Sequence, residues 1–380
     1  MHRAAYISFD RFPSTKGSAV HIRHMAGELF DRYGGGLLCV LGGGDLPRYQ
    51  REDNLEVVRF DEPVPNLIDR AEAFSGWVAD RLAPHRDTLE VCHVRDPWGA
   101  VPAIGTTDAK LVYEANGLPS IELPYAWPRV APSTLDKLRD IERHCFRHAA
   151  AVITPSAVIA RAVEERGATN VHVVPNGADI PETTPPRPDD APDRYLVYVG
   201  ALQPWQGVDV LMRAFTRLAD LDDLTLVVCS SVPRQRSRPL RRLADRLGIA
   251  DRVQWRYTVP HHRVAGWLAH AAVSVAPLTA SPRNVTQGCS PLKVWESMAA
   301  GVPVVASDLP AVRELITDGE HGRLVPPDRP AELARAIRIV LEYPERAAEL
   351  ADRARRRIAD NFTWAHARAR LAAVYDATVG

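Results

Sequence analysis

Short apolar runs alternate with stretches of helical periodicity along this 380-residue chain. The first run, Ala4 to Phe9, leads through a polar loop, Asp10 to Lys16, into a helix whose apolar face carries Ile22, Met25, Ala26, Leu29 and Phe30. Gly34 to Gly36 ends that helix, and Leu37 to Leu41 is the next run. Leu55 to Phe60, Glu90 to Val94, Lys110 to Tyr113, Ala151 to Thr154 and Val171 to Val174 complete a first series. Dense runs of this length, separated by helical periodicity, mark parallel strands covered by crossover helices. Pro181 to Arg194 interrupts the series with five prolines, several acids and almost nothing apolar, so it reads as a linker. The pattern then restarts with strands Tyr195 to Val199, Leu224 to Cys229, Val253 to Trp255, Ala272 to Ala276, Val302 to Ala306 and Arg323 to Val325. Helices are expected from Val208, over Pro239 to Leu247, over His262 to His270, and from Pro330 to about Asn361. A last helix from Trp364 is expected to return to the first half. The expected architecture is α/β: a first Rossmann-like domain over residues 1–180, completed by 365–380, and a second over 195–364, their parallel sheets facing a central cleft.

Composition narrows the function classes. Acidic and basic residues are equal in number, 47 each, so there is no electrostatic case for a nucleic-acid partner. No apolar run approaches the roughly 20 residues that span a bilayer, and the start of the chain shows no secretory pattern, so a soluble cytoplasmic protein is expected. Cys39, Cys92, Cys145, Cys229 and Cys289 are scattered, with no CxxC pair, which weighs against structural zinc and against a disulfide framework.

The stretch from Gly288 to Asp308 carries the most chemistry. Ser290 is a good N-cap residue and Pro291 fits a first helical position, so the amides of Leu292 and Lys293 are expected to leave the helix nose toward an anion. Glu296 lies about 9 Å along the axis from Ser290 at 1.5 Å per residue, on the face of Lys293. Gly301 stops the helix ahead of the buried strand. Phosphate at the nose and a hydroxyl-accepting carboxylate behind it suit a nucleotide's diphosphate and ribose.

Asn176 in Val-Pro-Asn-Gly-Ala-Asp, the loop Val199 to Gly207, and Glu296-Ser-Met-Ala-Ala-Gly-Val-Pro resemble family 4 of the retaining glycosyltransferases, in order along nearly the whole chain. The resemblance implies a GT-B fold, a nucleotide-sugar donor (UDP- or GDP-linked) on the C-terminal domain, a hydroxyl-bearing acceptor on the N-terminal one, retention of anomeric configuration, and no metal or other cofactor. It implies that Glu296 accepts the ribose hydroxyls and that Gly17, Gly200 and Gly207 let backbone approach the diphosphate. It also leaves room for peripheral membrane contact, although no basic amphipathic helix stands out.

The departures are specific. Where the family has a first glutamate this chain has Gly288, and where an arginine and a lysine hold the diphosphate it has Ala201 and Gln206. Asn116 stands at the position of the family histidine near the reacting sugar. An asparagine cannot transfer a proton but can hydrogen-bond a sugar hydroxyl. Lys293 at the helix nose, with Arg283 in the preceding loop, is the expected replacement cation. Arg95 and Asp96 end a strand at the edge where α/β proteins bind ligands, with a structural ion pair as the even alternative. Arg95 is counted with Asn116 and Lys293 as catalytic, and Lys16, Asp96 and Glu114 as acceptor-binding. The acceptor wall is expected at Asp10 to Lys16 and Gly117 to Val130. His21 and His24 are expected to pack or face solvent, His144 and His148 not to hold a metal, and Arg353 with Arg355 to Arg357 to form a solvated helix face. The missing charged residues leave a second reading open: a catalytically impaired nucleotide-sugar-binding or partner subunit. An epimerase or phosphorylase on the same scaffold is a further alternative.

Overall fold

The computed structural model describes residues 1–379, which divide into two compact units. The first comprises Met1–Ser14, Ser18–Pro175 and Ala367 onward; the second comprises Thr15–Gly17 and Asn176–His366.

The first unit is built on eight strands: β1 (Ala4–Arg11), β2 (Gly36–Leu41), β3 (Tyr49–Glu52), β4 (Leu55–Phe60), β5 (Val91–Val94), β6 (Lys110–Glu114), β7 (Ala151–Thr154) and β8 (Val171–Val173). Their order is β3-β4-β2-β1-β5-β6-β7-β8. All pairs are parallel except β3 with β4. Only β3 lies outside the strands anticipated from the sequence. Its Tyr-Gln-Arg-Glu is mostly exposed at a sheet edge, so it lacks the apolar signal that marks the others. The strands bury Ala5, Ile7, Val94 and Tyr113 against Phe74 and Phe146 of the helices Leu67–Leu82 and Pro132–His148.

The second unit carries β9 (Arg194–Gly200), β10 (Leu224–Ser230), β11 (Val253–Tyr257), β12 (Val273–Ala276), β13 (Val304–Ser307) and β14 (Arg323–Val325). They form a wholly parallel sheet of order β11-β10-β9-β12-β13-β14. Leu196, Tyr198, Leu211, Phe215 and Ile337 pack in one of its cores. In each unit the chain winds outward from the first strand and then jumps to that strand's other side. The switch points, β1/β5 and β9/β12, are where the strands' carboxyl ends leave a crevice for ligands.

The proline-rich segment is not a free spacer. His270 Nε2 bonds Pro185 O at 2.8 Å, Gln254 Nε2 donates to Asp190 O at 3.0 Å, and Arg256 pairs with the Asp190 carboxylate at 2.7 Å. Residues 181–194 thus lie on the second unit, because proline carbonyls remain good acceptors. The helix Trp364–Thr378 contributes its part from Ala367 to the first unit, where Arg368 pairs with Glu28 at 2.9 Å. On the arginine-rich helix face Arg355 and Arg356 are exposed, and three of its arginines also tether neighbouring backbone: Arg355 donates to Pro181 O (2.9 Å), Arg357 to Glu314 O (3.1 Å) and Arg353 to Glu320 O (2.8 Å). Among the described residues no helix is long and apolar enough to cross a membrane.

Candidate functional site

Loops from the carboxyl ends of β9 and β12 meet at the switch point of the second unit. The β9 loop turns at Gly200 (φ +135°) and again at Gly207 (φ +68°). At Gly207 a Cβ would fall 1.8 Å from Pro277 O, so only glycine lets the two loops close. Thr279 N donates to Trp205 O at 3.1 Å and Asn284 Nδ2 to the same oxygen at 2.9 Å, completing the join. Gly207→Ala is expected to lower the melting temperature by more than 5 °C, on the order of 2 kcal/mol or more for combined strain and clash. A melting curve unchanged from wild type would show that the two loops can separate at no cost.

The helix expected near residue 291 is present as Leu292–Ala300, but its start differs from the sequence expectation. The N-cap is Pro291, which makes no side-chain cap bond, and Ser290 is not the cap. Ser290 Oγ instead accepts from Asn176 Nδ2 (2.9 Å) and Trp295 Nε1 (3.3 Å). Among the described residues nothing accepts the amide protons of Leu292 or Lys293, which leaves two donors at the helix nose. Gly17, counted with the second unit, lies close by: a Cβ there would be 2.8 Å from Leu292 Cδ1.

Lys293 reaches back from this helix to the β9 loop. Its ammonium donates to Tyr198 Oη at 2.9 Å and to Gln206 Oε1, sits 4.1 Å from the Tyr198 ring centre, and underlies Gly200. Burial pushes it down to about 7, against the opposing pull of Cys289 and Glu296 and with a smaller push from Arg283. The Lys293 ammonium thus lies at the β9 loop that carries Ala201 and Gln206. Arg283, on the turn Arg283–Gln287, lies over the Trp205 ring at 5.1 Å. Glu296, a turn beyond Lys293, is part-exposed and bonds His261 Nε2 through Oε1 at 2.8 Å. His261, at the start of the helix His261–Ala269, was not singled out from the sequence, where it is one polar residue after a proline.

At the switch point of the first unit stands a buried cluster around Glu114, at the end of β6. Its carboxylate takes Tyr6 Oη (2.9 Å), His93 Nε2 (3.0 Å), Arg95 Nε (2.7 Å) and Asn116 Nδ2, and His21 Nδ1 lies 3.1 Å away. Burial alone would push Glu114 up, but His21 and Arg95, with the hydrogen bonds of His21 and His93, hold it well below the carboxylate range. Arg95 also bonds Asp10 at 3.0 Å, and its side chain is 7% exposed. His93 Nδ1 meets Tyr375 Oη of the last helix at 2.6 Å.

Two expectations change here. Arg95 and Glu114, expected to meet substrate, pair with each other in this buried cluster, as in the ion-pair alternative. Asp96 is the N-cap of the helix Pro97–Thr106: its oxygens accept from Gly99 N (3.0 Å) and Phe9 N (2.6 Å). His21, expected to pack or face solvent, is buried with its Nδ1 3.1 Å from the Glu114 carboxylate. Asn116 remains part-exposed, its amide nitrogen donating to Glu114, and Lys16 is exposed on its loop. Tyr6, Tyr198 and Tyr375 escaped notice because buried tyrosines in apolar runs read as core.

The comparisons with known proteins fit this geometry. Residues 15–181 match the model of Glycosyltransferase Family 4, and residues 193–343 that of Glycosyl transferases group 1. The MMP alpha-(1->4)-mannosyltransferase of Mycolicibacterium hassiacum is 25% identical over 420 residues, covering 99% of this chain and 98% of that one. Several D-inositol 3-phosphate glycosyltransferases are 31 to 36% identical, but the chain spans only 37 to 52% of their length. Sucrose-phosphate synthase of Thermosynechococcus elongatus superposes with a TM-score of 0.81 at 18% identity, over 99% of both chains. Anabaena HepE, solved with UDP-glucose, does so with a TM-score of 0.74 at 18% identity, over 98% and 99%. With both domain models matched in order and two doubly wound parallel sheets, the chain belongs to the family 4, group 1 glycosyltransferases of GT-B fold, which transfer sugars from nucleotide-sugar donors.

Proposed function

We propose that the protein is a retaining, metal-independent hexosyltransferase that moves a sugar from a UDP- or GDP-linked donor to an acceptor hydroxyl. The observation that supports this reading most is Lys293: a cation reaching from a helix nose with open amides to the glycine loop of β9. As the donor's C1–O(phosphate) bond breaks, charge gathers on the diphosphate, and Lys293, Arg283 and the Leu292 and Lys293 amides neutralise it. Glu296 Oε2 takes the ribose hydroxyls. The acceptor oxygen bonds C1 on the face the diphosphate leaves, and its proton passes to the departing phosphate oxygen, so Asn116 need only orient a donor-sugar hydroxyl. Lys16, Asp10 and the segment 117–130, which carries the helix Pro119–Ala126, hold the acceptor. The mannosyltransferase of Mycolicibacterium and the UDP-glucose complex of Anabaena HepE support a hexosyl donor without choosing its base.

Melting curves with UDP-, GDP- and ADP-sugars test the reading. The correct donor at 100 times its dissociation constant adds about 2.7 kcal/mol, roughly 5 to 10 °C for a unit of this size. If no nucleotide sugar shifts the curve, the proposal fails. The anomeric proton coupling of the product tests retention, which an inverted product would refute, and turnover is expected to persist in excess chelator.

A further inference from the structure

The hydroxyl of Ser290 has only one way left to bond. The Asn176 amide is oriented by its other contact: Nδ2 also donates to Ser290 O at 3.1 Å, which an amide oxygen could not do. The end of Asn176 that faces Ser290 Oγ at 2.9 Å is therefore a donor. The second neighbour, Trp295 Nε1 at 3.3 Å, is an indole N–H, which can only donate. Two obligate donors occupy the two lone pairs of Oγ, and the hydroxyl proton must point elsewhere. No protein acceptor for it exists among the described residues. Asn176 is 5% exposed and its Oδ1 is buried without a partner, so the amide forgoes a bond of its own to keep this orientation. Trp295 is 1% exposed and wedged against Phe362, so its N–H cannot swing away. Ser290 is part-exposed and directly precedes the nose whose amides are open.

We propose that Asn176 and Trp295 are positioning residues that commit the Ser290 hydroxyl to donating, and that its recipient is a phosphate oxygen of the donor's diphosphate at the nose of Leu292–Ala300. The inference rests on the nucleotide-sugar reading above and adds a polarity to it. A hydroxyl that could also accept would tolerate a protonated or hydroxyl-bearing group at this point; one that can only donate selects an unprotonated anion.

The test uses the full chain with the nucleotide sugar that gives the largest melting shift. Ser290→Ala is expected to raise the donor KM and lower kcat/KM by about 10- to 100-fold, the range for a hydrogen bond to a charged group. Ser290→Thr, which keeps the hydroxyl, is expected to stay within about threefold of wild type, as it should if the proton is what matters. Asn176→Asp is expected to lose at least as much as Ser290→Ala, because a carboxylate would capture the Ser290 proton and add a like charge beside the diphosphate. Trp295→Phe releases one lone pair, and in a Ser290→Ala background it is expected to cost nothing further. Melting temperatures monitor folding for each variant. Wild-type kinetics for Ser290→Ala, or equal losses from Trp295→Phe with and without Ser290, overturn the inference while leaving the donor assignment intact. A wild-type protein that binds no nucleotide sugar overturns both.

Discussion

Replacing Lys293 with methionine is expected to cut kcat/KM for the donor by about 10²- to 10³-fold, the usual cost of removing one preorganised group that meets developing charge. The fold should survive, because methionine keeps the length and apolar stem of the side chain while removing a charge that burial disfavours. The pH dependence gives a second signature. In the ligand-free protein Lys293 is charged below about 7 and largely neutral above it. Donor affinity should therefore weaken as pH rises above 7, by up to about tenfold per unit, and binding there should take up a proton. Calorimetry in buffers of different ionisation heat reads that proton directly. Stability without ligand runs the opposite way. The unfolded lysine titrates near 10.5 and the folded one near 7, so between those values the unfolded chain holds more protons and stability rises with pH. Lys293→Met should remove both slopes. Turnover at the wild-type rate, or an unchanged pH profile of donor binding, would mean that another group neutralises the diphosphate.

Glu114→Gln is expected to be the most destabilising single change in the first unit, by about 3 to 5 kcal/mol, or roughly 10 °C in melting temperature. It removes the nearer of two counter-charges from Arg95, whose side chain is 7% exposed, leaving Asp10 alone, and turns an amide NH2 toward either the Tyr6 and His93 donors or the Arg95 and Asn116 donors. The cluster also predicts acid sensitivity. Burial lowers His93 below its ordinary 6.5, against the pull of Glu114, so below 6.5 the unfolded chain takes up a proton that the folded chain resists. Stability should fall on acidification through that range. If Glu114→Gln raised the acceptor KM and left the melting temperature alone, the carboxylate would be a substrate ligand and the cluster a secondary feature.

Most of the architecture was legible because parallel strands buried on both faces must be nearly continuous apolar runs. Leu55–Phe60, Ala151–Thr154 and Arg323–Val325 fall at the limits read from the sequence. The exposed antiparallel β3 was invisible for the complementary reason, since an edge strand with one residue in four part-buried carries no periodic signal. The site was legible where its parts are contiguous. Lys293 and Glu296 share one helical turn, so spacing alone put them on one face. Ser290 was misread because capping propensity is a local rule, and a contact with Asn176, 114 positions away, overrode it.

The sequence by itself determined two doubly wound units, the helix that offers a cation and a carboxylate together, and the glycines on which the β9 loop turns. These depend on periodicity and backbone freedom, which are local. The tertiary structure decided which groups are spent and which are free. It placed Lys293 on Gln206, buried Arg95 and Glu114 with His21, His93 and Tyr6, and set two donors, Asn176 Nδ2 and Trp295 Nε1, on the Ser290 hydroxyl. Whether a polar side chain acts on a ligand or satisfies a neighbour depends on what else reaches it within about 3 Å, and that proximity arises only when distant strands and helices converge.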